Sequence, residues 1–123
     1  MNVNKDQQAI SEMVDYYFKG TYLGDADLIR RAFHPAAHIT GIIQEQYYDW
    51  TLAEFIARVT QAPSSALKKE PYNKKIISID YENEAAMVKA SVAVGDNIFT
   101  DYITLLKING QWLIRNKSFA VNK

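Results

Sequence analysis

Apolar residues recur at helical spacing in the first half of the chain and predict two helices before residue 35. Between about Asp6 and Lys19 they share one helix face: Ile10, Met13, Val14, Tyr17 and Phe18. A second helix is expected after Asp25, whose side chain can cap its free backbone donors. Pro35 prevents this helix from continuing, because proline lacks the backbone N–H and clashes with the preceding turn.

A third, short helix is predicted to open at Thr51. Thr51 and Glu54 stand three residues apart and can satisfy each other's free backbone N–H groups in a capping box. Its apolar stripe consists of Leu52, Phe55, Ile56 and Val59.

The chain after Tyr72 has the pattern of strands separated by polar turns. The predicted strands are residues 74–81, 85–94, 98–108 and 111–121. Asn109-Gly110 is the strongest short hairpin signal, because both central residues of that turn need positive φ. Residues 37–43 are expected to add a shorter strand. Helices followed by a long meander predict an α+β fold with helices on one face of an antiparallel sheet.

Length and composition narrow the class of protein. A chain of 123 residues, 48% of them hydrophobic, is expected to form a single domain over 1–123. The 14 basic and 14 acidic side chains cancel, which argues against nucleic acid or an anionic membrane as partner. Without cysteine there is no disulfide, thiolate metal site or thiol nucleophile. The polar start and the lack of a long apolar run predict a cytoplasmic protein.

Three segments carry a resemblance to a known family: Gly24-Asp25, the Phe-His-Pro-Ala-Ala run at 33–37, and the Phe-Thr-Asp-Tyr-Ile-Thr-Leu-Leu-Lys run at 99–107 with the Asn-Gly-Gln-Trp that follows. Together they resemble the nuclear transport factor 2-like superfamily, and within it the small bacterial group labelled "putative lumazine-binding". The resemblance covers nearly the whole chain. It implies a cone-shaped fold, a curved sheet wrapped around helices, usually as a homodimer. It implies no particular activity, because the superfamily hosts several enzymes and plain binding proteins.

Ketosteroid isomerase is the enzyme of that superfamily whose residues are easiest to compare. It needs a carboxylate base on the first strand, with a Tyr and a protonated Asp as oxyanion donors. By alignment the base falls near Gly41, the Tyr on Tyr17 and the oxyanion Asp on Thr104. Gly41 cannot accept a proton and Thr104 is not an acid, so that activity is rejected. Tyr17 is still expected to point its phenol into a cavity.

The two histidines are weak functional candidates. His34 and His38 are four apart, but Pro35 lies between them and no third ligand clusters nearby, so no metal site and no cofactor are predicted. His34 is expected to end the second helix, where an imidazolium favours the negative end of the helix dipole. His38 is expected to face outward from its strand and is a weak candidate for a general acid or base.

Asp101 is an unusual charge within an apolar strand, and two placements are open. Counting from the Asn109-Gly110 turn pairs Asp101 with about Ser118 and leaves Lys117 diagonal to it. The favoured interpretation is a salt bridge with Lys117 or Arg115 on the outer face of the sheet. An inward carboxylate beside Tyr17 would instead make Asp101 a catalytic candidate.

The function predicted from these residues is binding of a small apolar or aromatic molecule whose identity is unknown. The expected ligand-binding residues are Tyr17, Ile39, Gly41, Trp50 and Thr104. One alternative is a cofactor-independent isomerase, dehydratase or cyclase that uses acid–base residues in the cone. Another is a protein-assembly module.

Two further features bear on those alternatives. Tyr47, Tyr48 and Trp50, expected in a loop before the third helix, could wall a flat ligand or contact a second subunit. Apolar positions were expected on both faces of the sheet, which predicts a two-fold homodimer through the open face. The positions counted are Val88, Val92, Ile103, Leu105 and Leu113.

Overall fold

A computed structural model describes the backbone of residues 3–122 and the side chains of residues 5–122. Three helices and six strands succeed one another in this part of the chain. In order they are α1 (Val3–Leu23), α2 (Ala26–Ala32), β1 (Phe33–Ile43), β2 (Gln46–Thr51), α3 (Leu52–Gln61), β3 (Lys74–Glu82), β4 (Ala85–Val94), β5 (Asn97–Ile108) and β6 (Gln111–Val121). No helix among these residues is both long enough and apolar enough to cross a bilayer.

The six strands form one curved, unclosed sheet in the order β2-β1-β6-β5-β4-β3. Neighbouring strands are antiparallel except β1 and β6, which are parallel. Helix α1 contacts β3 and β6, and α3 contacts β1 and β2. The face of the sheet toward the helices is called the inner face below. The predicted α+β fold, with helices on one face of a curved sheet, is confirmed.

Both predicted helix caps are present. The Asp25 carboxylate accepts hydrogen bonds from the backbone N–H groups of Asp27 and Leu28 at 3.0 and 3.2 Å. At α3 the Thr51 hydroxyl accepts from the Glu54 N–H at 3.2 Å, and the Glu54 carboxylate accepts from the Thr51 N–H at 2.9 Å. The capping box therefore fixes where α3 begins.

His34 does not end the second helix, so that prediction is wrong. Helix α2 ends at Ala32, and Phe33 already has extended backbone angles and begins β1. The physical reason is Pro35, because the residue before a proline is driven out of the helical region. In the strand, His34 Nδ1 accepts a hydrogen bond from the Ala36 N–H at 3.0 Å.

The aromatic segment before α3 is a strand, where a loop was expected. Strand β2 pairs with β1 so that Trp50 lies opposite Ile39 and Tyr48 opposite Gly41. The hairpin between them turns at Gln44 and Glu45, with φ of 50° and 69°. Hairpin turns of this kind favour Asn and Gly, so a Gln-Glu turn gave no sequence signal.

A β-bulge in β6 decides which side chains reach the interior. From the Asn109-Gly110 turn the register runs as expected until Leu105 pairs with Ile114, and it then shifts so that Thr104 pairs with Asn116. Arg115 is the extra residue, and a bulge of this kind reverses the alternation of faces beyond it.

Beyond the bulge Asp101 pairs with Phe119, which corrects the predicted pairing with Ser118. Lys117 and Phe119 are buried while Asn116 and Ser118 are exposed. The bulge therefore turns Lys117 to the inner face, where Asp101 also lies.

The core lies between the helices and the inner face. Four of the positions counted for the dimer prediction, Val88, Val92, Ile103 and Leu105, are buried there. These four residues all lie on the inner face, so they do not make the outer face apolar. The dimer prediction is wrong to the extent that it was based on them. Exposed apolar side chains elsewhere on β4 and β5 include Met87, Ile98, Tyr102 and Leu106.

Candidate functional site

Three polar side chains meet on the inner face of the sheet. The Tyr17 hydroxyl, from α1, donates a hydrogen bond to Asp101 Oδ2 at 2.5 Å and accepts one from Lys117 Nζ at 2.7 Å. Lys117 Nζ lies 3.6 Å from the same carboxylate oxygen. We call Tyr17, Asp101 and Lys117 the polar triad. Adjacent strands β5 and β6 hold its two charges, and the long first helix supplies the phenol between them.

The triad is almost sealed from bulk solvent. The side chains of Asp101 and Lys117 are 1% and 6% exposed, and the Tyr17 ring packs edge-on against Phe33. Burial, and then the Asp101 charge, raise the pKa of Tyr17 well above its ordinary value. Burial also lowers the pKa of Lys117, which the Asp101 carboxylate partly offsets. The phenol therefore keeps its proton at neutral pH and donates a hydrogen bond to Asp101.

One oxygen of the triad has no hydrogen-bond partner. Asp101 Oδ1 is buried and accepts no hydrogen bond from the described residues. A buried carboxylate oxygen without a donor is destabilising, and such atoms are rare in folded proteins. Asp101 is also a cavity-lining residue, and a cavity molecule that reached Oδ1 through a small shift of the side chains covering it would supply the missing donor.

The cavity has a volume of about 510 Å³ and lies between α1, α3 and the inner face. A cavity of this size accommodates a small organic molecule. Its wall combines the triad with aromatic and aliphatic side chains. The principal apolar residues are Ile39, Trp50, Phe55, Val92, Phe99 and Phe119.

Trp50 and Phe119 stack on each other in the wall of the cavity. Their rings are nearly parallel, with planes 15° apart and centroids separated by 5.9 Å. The exposed Arg58 places its guanidinium 4.4 Å from the centre of the Trp50 ring. Arg58 also lines the cavity, so this side combines an aromatic wall with a cation.

Lys74 is a second buried cation in the cavity wall. Its residue is 9% exposed, and no hydrogen bond or ion pair to its ammonium group occurs among the described residues. Burial and the nearby Lys117 charge lower the pKa of Lys74 to about 8, against the opposing effect of Asp101 and Glu70. Lys74 is therefore largely charged at neutral pH, and the burial of its charge destabilises the folded protein.

Four of the residues selected from the sequence line the cavity: Tyr17, Ile39, Trp50 and Asp101. The placement of Asp101 overturns the favoured outer-face interpretation. Its pairing with Lys117 does occur, but on the inner face, because the bulge at Arg115 turns Lys117 inward.

Thr104, Gly41 and His38 do not line the cavity. Thr104 is exposed on the outer face, because side chains alternate between the two faces along β5 and those of Asp101 and Ile103 point inward. At Gly41 the space that a side chain would occupy is filled by the Phe119 ring. These placements correct Thr104 and Gly41 as ligand-binding predictions.

His38 points away from the cavity, as its alternation indicated. Its ring is about half exposed, and Nδ1 lies 2.6 Å from Asp49 Oδ1 on the neighbouring strand. It therefore has no geometric path to a molecule in the cavity and is not a catalytic candidate. Within residues 3–122, no three His, Asp or Glu side chains are grouped as metal ligands.

Two cavity residues, Lys74 and Lys117, were missed as functional candidates. Lys74 stands beside Lys75 at the start of a predicted strand, and such a lysine pair is typical of a solvated surface. Lys117 had one usable signal, since the apolar residues of β6 switch from even positions, Trp112 and Ile114, to the odd position Phe119. That switch of parity indicates a bulge and places Lys117 on the inner face.

The family comparison now decides the classification. Residues 5–120 match the family model described as "Putative lumazine-binding". The chain belongs to this family. A comparison with curated proteins gave no significant match.

Solved structures support the fold of this lumazine-binding family member. A nuclear transport factor 2-like protein of unknown function from Silicibacter pomeroyi has a TM-score of 0.90 at 22% identity, over 99% of this chain and 100% of that one. A similar protein from Shewanella baltica has a TM-score of 0.89 at 21% identity, over 100% and 98%. A ketosteroid isomerase-like protein from Erwinia carotovora has a TM-score of 0.72 at 10% identity, over 100% and 99%. The nuclear transport factor 2-like fold is therefore confirmed.

Proposed function

We propose that this protein binds a small, largely aromatic organic molecule in the cavity between the helices and the inner face. The aromatic side chains of the cavity wall would contact the ring of the ligand, and the polar triad would orient it. Binding sites of this kind combine a mostly apolar wall with a few polar groups. The predicted cytoplasmic location is compatible with such a role and stays a prediction.

The observation that carries this proposal is the unpartnered Asp101 Oδ1. Tyr17 and Lys117 satisfy the other carboxylate oxygen, directly or through one another. A ligand N–H or O–H directed at Oδ1 would complete the hydrogen bonding of the buried carboxylate. Charge-assisted hydrogen bonds of this kind are stronger than neutral ones, so the group would contribute to both affinity and orientation.

The family description offers a first ligand to try. Lumazine is a flat bicyclic heteroaromatic molecule with ring N–H donors and carbonyl acceptors, which suits an aromatic wall beside a carboxylate oxygen. The volume of about 510 Å³ supports a ligand of that size. A cavity left open by its own side chains also argues against the protein-assembly alternative.

The binding test uses N-phenyl-1-naphthylamine, a neutral aromatic probe whose fluorescence rises in apolar surroundings. Val59 lines the cavity from α3, and Val59→Trp would fill part of it. Thr104→Trp adds the same ring on the exposed outer face and is the matched control. We expect wild type and Thr104→Trp to bind the probe alike and Val59→Trp to lose about tenfold or more in affinity. Equal binding by all three proteins would contradict a cavity site.

A second candidate function is acid–base catalysis without a cofactor, which the inward triad favours. Lys117, Tyr17 and Asp101 form a continuous chain of hydrogen bonds that ends at a carboxylate able to accept a proton. A carbon acid whose proton lies near Asp101 could be deprotonated there. The Tyr17 O–H could then turn from the neutralised carboxyl group to the resulting oxyanion and donate a hydrogen bond to it.

The catalytic candidate can be tested by deuterium exchange into 2-tetralone, an aromatic ketone with acidic protons beside its carbonyl. An enzyme of this class should accelerate exchange in D₂O over buffer, and Tyr17→Phe should reduce the acceleration. If wild-type protein binds the probe normally but exchange runs at the buffer rate, the catalytic candidate is contradicted and only the binding function remains.

A further inference from the structure

Lys74 and Asp101 Oδ1 are two unsatisfied polar groups of opposite kind in one cavity. Lys74 is a cation without a hydrogen-bonding or ion-pair partner among the described residues, and Asp101 Oδ1 is an acceptor without a donor. Both belong to residues that are at least nine-tenths buried and line the cavity. An occupant with an acceptor near Lys74 and a donor near Asp101 Oδ1 would give each of them a partner.

The sheet register fixes how far apart the backbones of Lys74 and Asp101 lie. Lys74 in β3 pairs with Val92 in β4, and Val92 pairs with Phe99 in β5. Asp101 lies two residues beyond Phe99 on the same face. Two strand spacings correspond to about 10 Å between backbones. The backbones that carry the two groups are therefore about 10 Å or more apart, with Val92 and Phe99 on the strands between them.

The charges that face the cavity leave an excess of positive charge. Asp101 and Lys117 offset each other, and Lys68 is paired with Glu70 at 3.4 Å. Lys74 has no such partner, and the cavity-lining Arg58 adds another cation. A buried cation without a counter-charge is destabilising, and an anionic occupant would remove that cost.

We propose that the occupant is an anion: an aromatic molecule with a carboxylate, sulfonate or comparable acidic group that binds the Lys74 ammonium, and with an N–H or O–H that donates to Asp101 Oδ1. This inference rests on the proposed binding function and specifies the ligand class. Lys74 then discriminates charged from neutral ligands, while Asp101 requires a donor.

The test compares two probes that share one skeleton. 8-Anilinonaphthalene-1-sulfonate and N-phenyl-1-naphthylamine both carry a phenylnaphthylamine N–H, and only the first carries an anionic group. Near pH 7 the sulfonate probe should bind wild-type protein about tenfold more tightly than the neutral probe, because hydrogen bonds to charged groups are among the stronger ones. Lys74→Met should remove this preference while it keeps the length of the side chain.

Lys75→Met is the matched control, because Lys75 is exposed on the other face of the same strand. It should retain the wild-type preference for the sulfonate probe. If Val59→Trp weakens both probes but wild type shows no preference for the sulfonate probe, the cavity binds aromatic molecules and the anionic ligand class is wrong. If wild type prefers the sulfonate probe and Lys74→Met keeps that preference, Lys74 does not bind the anionic group and the inference is also wrong. If Val59→Trp leaves both affinities unchanged, the proposed function fails and this inference fails with it.

Discussion

The Tyr17 hydroxyl donates a hydrogen bond to Asp101 Oδ2 across 2.5 Å and so joins α1 to β5 in the interior of the protein. Lys117 reaches the same hydroxyl from β6 at 2.7 Å. The contact has two consequences. It ties the first helix to the centre of the sheet, and it leaves the second carboxylate oxygen, Oδ1, without a hydrogen-bond donor among the described residues.

Asp101→Asn should weaken folding, because it leaves the Lys117 charge buried without its counter-ion. Removal of one partner of a buried pair typically costs about 3–5 kcal/mol. We expect a loss of at least about 2 kcal/mol in the free energy of unfolding, measured by urea denaturation near pH 7. The double variant Asp101→Asn/Lys117→Met should recover part of the loss, because it removes the unpaired charge. A double variant that loses the full sum of both single effects would contradict a coupled pair.

The stability of the protein should rise with pH above about 8, because the pKa of Lys74 is lowered from its ordinary value of 10.5 to about 8. Between these values the unfolded chain still holds the proton that the folded protein has released. The unfolded state then binds more protons, so the free energy of unfolding increases with pH. From near pH 7 to near pH 9.5 we expect Lys74 to contribute about 2 kcal/mol to this rise.

Urea denaturation of three proteins at those two pH values checks the assignment to Lys74. Lys74→Met should show a smaller rise than wild type, and Lys75→Met should keep the full rise. Lys117 acts in the same direction, because burial lowers its pKa. Tyr17 acts in the opposite direction above about pH 10, because its pKa is raised. The same rise in wild type and Lys74→Met would show that the ammonium is well solvated.

Gly41→Ala should destabilise the protein although Gly41 is not a ligand-binding residue. A Cβ at this position would overlap the Phe119 ring. Overpacking of this kind typically costs about 1–3 kcal/mol. The double variant Gly41→Ala/Phe119→Leu should be less destabilised than the two single changes predict, as read by thermal unfolding. Strictly additive effects would contradict direct contact between the two residues.

The homodimer stays a prediction, and the exposed apolar residues that would form its interface differ from those expected. Met87, Tyr102 and Leu106 expose 46%, 45% and 39% of their surface on the central strands. If this outer face forms a two-fold interface, light scattering at tens of micromolar protein should give twice the 14.0 kDa chain mass. Met87→Glu should then yield monomer, while Leu67→Glu, at a more exposed position away from the sheet, should not. A wild-type monomer would contradict the prediction.

Local sequence signals predicted most of the fold. The bounds of β4 and β6 agree with those expected, and α3 begins at its predicted capping box. Asn109-Gly110 forms the hairpin turn with φ of 52° and 80°. These features succeed because each depends on residues close together in the chain. Strand β2 was missed because Gln44 and Glu45 adopt the turn without the residues that usually favour it.

The candidate site was predicted only in part, and one extra residue explains most of the error. Tyr17 could be identified as a cavity residue from its helix face and the family resemblance, and Trp50 from the aromatic segment before α3. Lys117 was placed on the wrong face, because the predicted register had no bulge at Arg115. Asp101 was placed on the wrong face with it, although the alternation of β5 puts Asp101 on the same face as Ile103 and Leu105. A shift of one residue moves a side chain to the opposite face of a sheet. A count from the turn alone does not include the bulge, and the only local signal for it is the switch of apolar parity between Ile114 and Phe119.

The most direct test of the central claim is where a small aromatic molecule sits on the protein. Intermolecular nuclear Overhauser effects between N-phenyl-1-naphthylamine and assigned side chains report contacts within about 5 Å. The account predicts contacts to the rings of Phe55 and Phe119 in the cavity and none to the Met87 methyl group on the outer face. Contacts to Met87 without contacts to Phe55 and Phe119 would place the probe on the outer face and contradict a ligand-binding cavity.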